Sequence, residues 1–313
     1  MQPLAPTAAL PESPRVLVTG AGGLLGRALC RRLAARGVSV VAAVRARPAP
    51  PGVPALVGEL PEEAEALVRR ARPDVVVHLA APVDLGRDPA LRERLRPGIV
   101  AATEAVARAC AAAGARLVHV GTCEEYGAIP APMAEDDAPA PVCPYGELKL
   151  EATRGVVRLA REGRLRAVVL RPFRVYGPEA RAGLVAEAAA AAAAGRPLAM
   201  SDGGQVREWN EVGAVAEGLA RVALDPTAPE DGAVFNLGGG PRATAAEVAL
   251  RLFALAGRDA GLVRRGARPR RPGEPAALWG DHRRYRARWG RLPDPGLDAG
   301  LARVLAAVRE GAA

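Results

Sequence analysis

The chain has 313 residues and half of them are apolar, so it can bury a large core as one big domain or two coupled ones. No apolar run reaches the roughly 20 residues that cross a bilayer. The N-terminus, residues 1–14, lacks the basic start and the apolar stretch of a signal peptide. These two features predict a cytoplasmic protein with a loose N-terminal tail. The net charge of +9 is spread along the chain without a basic block beside aromatic residues, which argues against a nucleic-acid surface and suits an anionic substrate and cofactor.

Strand and helix patterns alternate along the first part of the chain, to about residue 173. Short apolar runs predict strands at residues 15–19, 38–44, 74–79, 116–120 and 166–170. Apolar periodicity predicts helices at residues 24–36, 62–72, 99–113 and 145–161. Apolar strands separated by helices are typical of a parallel sheet covered on both faces. The predicted fold is therefore an α/β doubly wound (Rossmann) sheet, which binds ligands at the carboxyl ends of its strands.

The pattern changes after residue 173. Helices are predicted at residues 182–194, 212–224, 244–256 and 297–309, with a strand at 233–237 and a loop-like stretch, rich in Arg, Gly and Pro, at 262–276. We predict a dinucleotide-binding domain of residues 14–173 and 209–243. The remaining segments, 174–208 and 244–313, are predicted to form a smaller, discontinuous substrate domain.

A glycine motif joins the first predicted strand to the first predicted helix. Gly20, Gly23 and Gly26 have the spacing G-x-x-G-x-x-G within residues 19–26. Glycine permits a tight turn and a close approach of the backbone to a pyrophosphate, whose charge the helix N-terminus then stabilises. An ordinary tight turn would also contain glycines, but its place between this strand and this helix favours a dinucleotide site.

The end of the second predicted strand bears on which dinucleotide is bound. An NAD site usually places a carboxylate there to hold the ribose 2′-hydroxyl, and none occurs between Val38 and Gly58. Arg45 could instead bind a 2′-phosphate. Arginine is common throughout this chain, so the missing carboxylate is the better half of the argument. The sequence favours NADP(H) over NAD as cofactor.

Two side chains on one predicted helix suggest proton chemistry. Tyr145 and Lys149 are four residues apart, so they lie on the same face of the helix. A neighbouring ammonium lowers the pKa of a phenol. An exposed helix pair would have the same spacing, yet 42 of the 43 basic residues are arginine and Lys149 is the only lysine. The four cysteines show no metal-ligand spacing, so no metal site is predicted.

Together these segments resemble an extended short-chain dehydrogenase/reductase of the NAD-dependent epimerase/dehydratase family. The resemblance covers most of the chain and is carried by six segments: the glycine motif, His-Leu-Ala-Ala at 78–81, Gly-Thr-Cys-Glu-Glu-Tyr-Gly at 121–127, the Tyr-x-x-x-Lys pair at 145 and 149, Arg-Pro-Phe-Arg-Val-Tyr-Gly-Pro at 171–178, and Phe-Asn-Leu-Gly at 235–238. It implies a nucleotide-diphosphate sugar as substrate and a homodimer.

The resemblance also implies residue roles. Thr122 would hydrogen-bond the reacting oxygen, Tyr145 would exchange its proton, and Lys149 would orient the cofactor. The implied cofactor-binding residues are Gly20, Gly22, Gly23, Leu24, Leu25, Gly26, Arg45, Leu60, Leu79, Ala80, Ala81, Tyr145, Lys149 and Pro172. The implied substrate-binding residues are Val83, Thr122, Cys123, Glu124, Arg174, Arg207 and Arg271, of which Arg207 and Arg271 would bind the diphosphate.

Four positions depart from the family pattern. Arg174 replaces an Asn near the sugar, and Leu148 replaces a small residue before the lysine. Glu208 replaces an Asp, and residues 96–98 stand where the family often has an Asn near the cofactor.

The segment that follows Thr122 bears on the type of reaction. Glu124 occupies the position of the dehydratase base, but Cys123 is a poor substitute for the acid beside it, and the Glu-Glu-Tyr-Gly ending resembles bacterial 4-ketoreductases. We therefore predict an NADPH-dependent nucleotide-sugar 4-ketoreductase. A 4-epimerase or a 4,6-dehydratase is the alternative within the family. A non-catalytic NADP(H)-binding regulatory protein is the alternative outside enzymes.

Overall fold

The computed structural model describes residues 10–311, so residues 1–9 of the expected N-terminal tail lie outside the described part. The strands are β1 (Val16–Thr19), β2 (Val40–Val44), β3 (Ala55–Val57), β4 (Val75–His78), β5 (Arg116–Val120), β6 (Ala167–Pro172), β7 (Val175–Tyr176), β8 (Leu198–Ala199), β9 (Val206–Glu208), β10 (Asn210–Glu211), β11 (Asp231–Leu237), β12 (Arg242–Thr244), β13 (Val263–Arg264) and β14 (Ala277–Leu278). The α-helices are α1 (Leu24–Ala34), α2 (Ala64–Ala71), α3 (Leu91–Arg96), α4 (Ala102–Ala113), α5 (Pro144–Arg161), α6 (Leu184–Ala194), α7 (Val212–Leu224), α8 (Ala245–Leu255), α9 (Arg283–Trp289) and α10 (Leu297–Gly311).

Seven of these strands form one parallel sheet in the order β11-β6-β5-β4-β1-β2-β3. The strand order reverses beside β1, which pairs with β2 on one side and β4 on the other. Ligands of doubly wound sheets bind in the crevice at such a switch point, outside the carboxyl ends of the strands. The predicted fold class is confirmed.

Successive side chains of a strand point to opposite faces of the sheet, so both faces carry apolar side chains, and helices cover both faces. Val75 and Val77 of β4 pack into the core with α1 and α7. Val76, between them, packs into the core on the other face with α2, α4 and α5. Burial of each such side chain contributes about 1.5–3 kcal/mol.

A separate hydrophobic core lies among α6, α8 and α10. It gathers residues from both predicted segments of the substrate domain, together with Trp209 and Ala243 from the edges of the other predicted domain. The division of the chain into two domains stays a prediction.

Some predicted elements differ from the structure. Residues 262–276 were predicted as a loop, yet they contain β13, which pairs with β8. The α-helix predicted at 99–113 is found at Ala102–Ala113, because residues 99–101 belong to a π-helical turn, Pro97–Ala101, that joins α3 to α4. No helix within residues 10–311 is long and apolar enough to span a membrane.

Candidate active site

The glycine motif forms a tight turn between β1 and α1. Gly20 has a left-handed φ of +66°, and a methyl group on it would come within 2.7 Å of the Ala80 nitrogen. A methyl group on Gly26 would collide with the Gly20 carbonyl oxygen. Helix α1 begins after Gly23 with no side-chain cap and no acidic residue in its first turn. Its first N–H groups could therefore hold a pyrophosphate, with no side chain between the pyrophosphate and the backbone.

Buried hydrogen bonds join the ends of β1 and β4 beside this turn. The Thr19 hydroxyl accepts from the Leu79 and Ala80 amides at 3.2 and 3.3 Å and lies 2.8 Å from His78 Nδ1. His78 Nε2 lies 3.2 Å from the Thr103 hydroxyl. Burial, and then the charge of Lys149, lowers the pKa of His78 to about 3. His78 is therefore neutral, and its hydrogen bonds fix the two loops that follow β1 and β4 and face the switch point.

Arg47 is a candidate cofactor contact that the sequence analysis missed. A methyl group on Gly22 would lie 2.8 Å from Arg47 Cβ, so Arg47 packs directly against the glycine turn. The side chain of Arg45 is 75% exposed, and its Nη1 lies 3.2 Å from Glu59 Oε1. The sequence offers one signal for Arg47: like Arg45, it lies close to the end of β2.

Helix α5 places Tyr145 and Lys149 in the interior. Their side chains are 7% and 4% exposed, so the interpretation as a surface pair is wrong. Lys149 Nζ donates a 2.7 Å hydrogen bond to the carbonyl oxygen of Val120, at the end of β5. Burial lowers the pKa of Lys149 to about 8, although the negative charge of Glu125 acts in the opposite direction. An amine is thereby held beside the carboxyl ends of the strands.

The pKa of Tyr145 is shifted in the direction opposite to the one that the sequence predicts. The sequence predicts that the ammonium lowers it, but burial raises it, and the charge of Glu124 raises it further. A hydrogen bond with Thr122 lowers the pKa without reversing the shift. Tyr145 is therefore a neutral phenol at physiological pH, and it can donate a proton.

Glu125 organises the segment that carries Thr122. This fully buried carboxylate accepts from the Thr122 amide at 2.9 Å, from the Thr153 hydroxyl at 3.0 Å and from Arg171 Nε at 2.8 Å. The Thr122 hydroxyl also accepts from the Glu124 amide at 3.3 Å, which caps the turn Cys123–Glu125. The role of Glu125 is not visible in the sequence, because Thr153 and Arg171 are distant from it in the chain.

The two residues between Thr122 and Glu125 differ in burial. Cys123 is buried, and its pKa is raised by burial and then by the charge of Glu124, so it stays a neutral thiol. Glu124 is half-buried. Its backbone carbonyl lies close to Gly146, where a methyl group would come within 2.5 Å of it, so this segment packs against the start of α5.

A cavity of about 330 Å³ brings three predicted substrate-binding residues together: Arg174, Arg207 and Arg271. Arg207 is buried, and its Nη2 lies 3.1 Å from Glu274 Oε1. Burial, and then the charge of Arg174, lowers the pKa of Arg207. Converging guanidiniums are suited to the oxygens of a diphosphate. Glu274, which positions Arg207, had no assigned role in the sequence analysis.

Three further predicted residues have weaker structural support. Val83 is 70% exposed. Leu60 is partly buried against the core beneath α2 and α4. Pro172 ends β6 and is half-buried. Their proposed contacts stay predictions.

Comparisons with known proteins extend over most of the chain. A model described as the NAD dependent epimerase/dehydratase family matches residues 16–238. A dTDP-6-deoxy-L-talose 4-dehydrogenase (NAD(P)(+)) of Kitasatospora kifunensis is 36% identical over 74% of this chain and 76% of that protein. A UDP-glucose 4-epimerase of Azospirillum brasilense is 29% identical over 90% of this chain and 88% of that protein. The solved structure of MoeE5 in complex with UDP-glucuronic acid and NAD is 31% identical, covers 95% of this chain and 99% of its own, and has a TM-score of 0.86.

Proposed function

The chain belongs to the NAD-dependent epimerase/dehydratase family as a nucleotide-sugar-modifying enzyme, and on this basis we propose that it reduces the C4 ketone of a nucleotide-diphosphate 4-keto-6-deoxysugar with NADPH. The observation that carries the proposal is the phenol of Tyr145, which is buried on the same face of α5 as Lys149 and is kept neutral by that burial. Ketone reduction needs a proton donor at the oxygen, and this phenol is one. A relative named for a dehydrogenase acting at carbon 4 of a 6-deoxysugar supports the choice of carbon.

The glycine turn fits a dinucleotide, because α1 begins after Gly23 with no side-chain cap and no acidic residue in its first turn, which leaves its first N–H groups for a pyrophosphate. When bound, NADPH would supply a hydride to carbon 4. Tyr145 donates its proton to the ketone oxygen while the Thr122 hydroxyl holds that oxygen, and an alcohol results. Lys149 carries positive charge at pH 7, since its pKa is about 8, and it lies one helical turn from Tyr145, where it would orient the cofactor.

The proposal is tested by supplying UDP-, dTDP- and GDP-linked 4-keto-6-deoxysugars with NADPH. We expect NADPH oxidation with at least one of them, and the NMR spectrum of the product gives the configuration at carbon 4. Interconversion of 4-hydroxy sugars without net NADPH oxidation would instead indicate an epimerase, and loss of water a dehydratase. Cofactor binding with no turnover of any nucleotide sugar would favour the regulatory alternative.

Cofactor preference is expected to depend on the arginines after β2. Arg45→Asp should weaken NADPH binding about tenfold or more and NADH binding far less, because a carboxylate repels the 2′-phosphate. Arg47→Asp should have the same selectivity, given its contact with the glycine turn. Dissociation constants for both cofactors provide the measurement.

The matched control for cofactor binding is Arg69→Asp, which changes the same charge at a similarly exposed site where Arg69 pairs with Glu65 of its own helix. It should affect neither cofactor. If the variants at positions 45 and 47 both lost NADPH and NADH affinity equally, neither arginine would bind the 2′-phosphate of the cofactor.

Replacing Glu124 with Gln separates reduction from dehydration. In a 4,6-dehydratase this carboxylate removes a proton from carbon 5, so its loss would abolish the reaction. In a ketoreductase no carbon-bound proton leaves, and Glu124 contributes at most a hydrogen bond of about 0.5–1.5 kcal/mol, which is roughly tenfold or less in rate. We expect this small effect in kcat/KM.

Solvent exchange gives an independent check on the same residue. Wild-type turnover in D₂O should place no deuterium at carbons 3 or 5 of the sugar. Deuterium at carbon 5, together with an inactive Glu124→Gln variant, would make Glu124 an enolising base and exclude a simple ketoreductase. Glu147→Gln, an exposed change on α5, serves as the control.

A further inference from the structure

A second cavity, of about 700 Å³, lies behind strand β9. Successive side chains of a strand point to opposite faces, and Arg207 and Glu208 follow this rule. Arg207 lines the substrate cavity described above, whereas Glu208 lines the second cavity. The other walls come from Pro132, from residues 239–242, after β11, and from residues 279–283 and Arg286, before and within α9. None of the predicted site residues lines this second cavity.

Both carboxylates of the second cavity are already engaged. Asp281 lies 2.6 Å from Nη2 of Arg283 and accepts from its amide at 2.9 Å. Glu208 accepts hydrogen bonds from four donors: Gly239 N at 2.6 Å, His282 Nε2 at 2.8 Å, Asn210 Nδ2 at 3.0 Å and Gly280 N at 3.1 Å. With their oxygens occupied in this way, the carboxylates give the cavity little capacity to bind a cation.

Two arginines of the second cavity have no counter-ion. Arg242 and Arg286 lie more than 4.0 Å from every carboxylate within residues 10–311. Arg242 is held in place by the Trp279 ring, whose centroid is 5.3 Å from its Cζ. The guanidinium of Arg286 lies against Gly239, where a methyl group would collide with Nη2. The cavity therefore presents two positioned guanidiniums that form no ion pair within residues 10–311.

We propose that the second cavity binds a phosphate monoester of a small organic molecule. Guanidiniums bind phosphate oxygens bidentately, and two of them suit a dianion. The volume lies within the range of small-molecule sites and exceeds what phosphate alone would fill. This inference does not depend on the proposed reaction.

Calorimetric titration with glucose 1-phosphate tests the proposal, without nicotinamide cofactor or nucleotide sugar. The Arg242→Gln/Arg286→Gln variant should bind at least about tenfold more weakly than the wild type, because each arginine provides charge-assisted hydrogen bonds. Each single variant should lose part of that affinity. Inorganic phosphate should compete with the probe in the wild type, whereas glucose should not bind.

Two controls locate the binding. Arg284→Gln changes a neighbouring arginine on α9 that pairs with Asp136 and does not line the second cavity, so it should bind normally. Arg271→Gln changes the substrate cavity and should also bind normally. Undiminished affinity in the double variant, a loss confined to Arg271→Gln, or no binding by the wild type at millimolar concentration would each overturn the proposal. Circular dichroism establishes that the variants are folded.

Discussion

Replacing Tyr145 with Phe is expected to lower turnover by about 10²–10⁴-fold while cofactor binding and folding are preserved. The substitution removes one oxygen from a buried ring whose apolar surroundings stay filled. That oxygen is the proposed proton donor, and its raised pKa keeps it protonated at neutral pH. Steady-state kinetics gives the loss in kcat, and NADPH titration gives the cofactor affinity.

Tyr285→Phe is the matched control for this experiment. Tyr285 is also fully buried, but its hydroxyl donates to the Gly218 carbonyl oxygen at 3.1 Å, among α7 and α9. Its loss should cost about 0.5–1.5 kcal/mol of stability and leave turnover unchanged. Near-normal turnover in a folded Tyr145→Phe variant would remove Tyr145 from the mechanism.

Replacing Glu125 with Ala is expected to lower the free energy of unfolding by about 3–5 kcal/mol. The change leaves the buried guanidinium of Arg171 without its carboxylate partner. It also removes the acceptor for the Thr122 amide and the Thr153 hydroxyl. Chemical denaturation followed by circular dichroism measures the loss.

The neighbouring Glu124→Ala variant is the control for stability. Glu124 is half-buried and forms no ion pair within residues 10–311, so its removal should cost less than about 1 kcal/mol. Glu125→Gln keeps an oxygen acceptor and should lose less than Glu125→Ala. If the alanine variants at 124 and 125 were equally stable, the pair of Glu125 and Arg171 would not be a structural centre of the site.

The elements that the sequence predicts well are those with long, periodic patterns. Helix α5 was predicted at 145–161 and is found at Pro144–Arg161, because its apolar positions recur over five turns. Strand β3 has only three residues, partly exposed, between Pro54 and Gly58, so no alternation could be detected. Helix α9 contains four arginines in seven residues, and only Tyr285 is buried, which leaves no apolar stripe to recognise.

The predicted site was incomplete for a different reason. Thr122, Tyr145 and Lys149 fall in local motifs, so their spacing along the chain reveals them. Glu125 is paired with Arg171, 46 residues away, and Arg207 with Glu274, 67 residues away. No local pattern encodes such pairs. The direction of the Tyr145 pKa shift also depends on burial, which the order of residues does not give.

The single lysine gives the protein an intrinsic reporter of opening at its centre. Lys149 is the only side-chain amine in the chain, and in the closed structure it is 4% exposed and bonded to Val120. Because the amine is buried, an acylating reagent reaches it mainly when α5 moves away from the end of β5, as in local unfolding. With a pKa of about 8, a useful fraction of the amine is unprotonated and reactive in mildly alkaline buffer once exposed. The rate of modification at this one position therefore records how often α5 detaches, with only the N-terminal amine as a second labelled group.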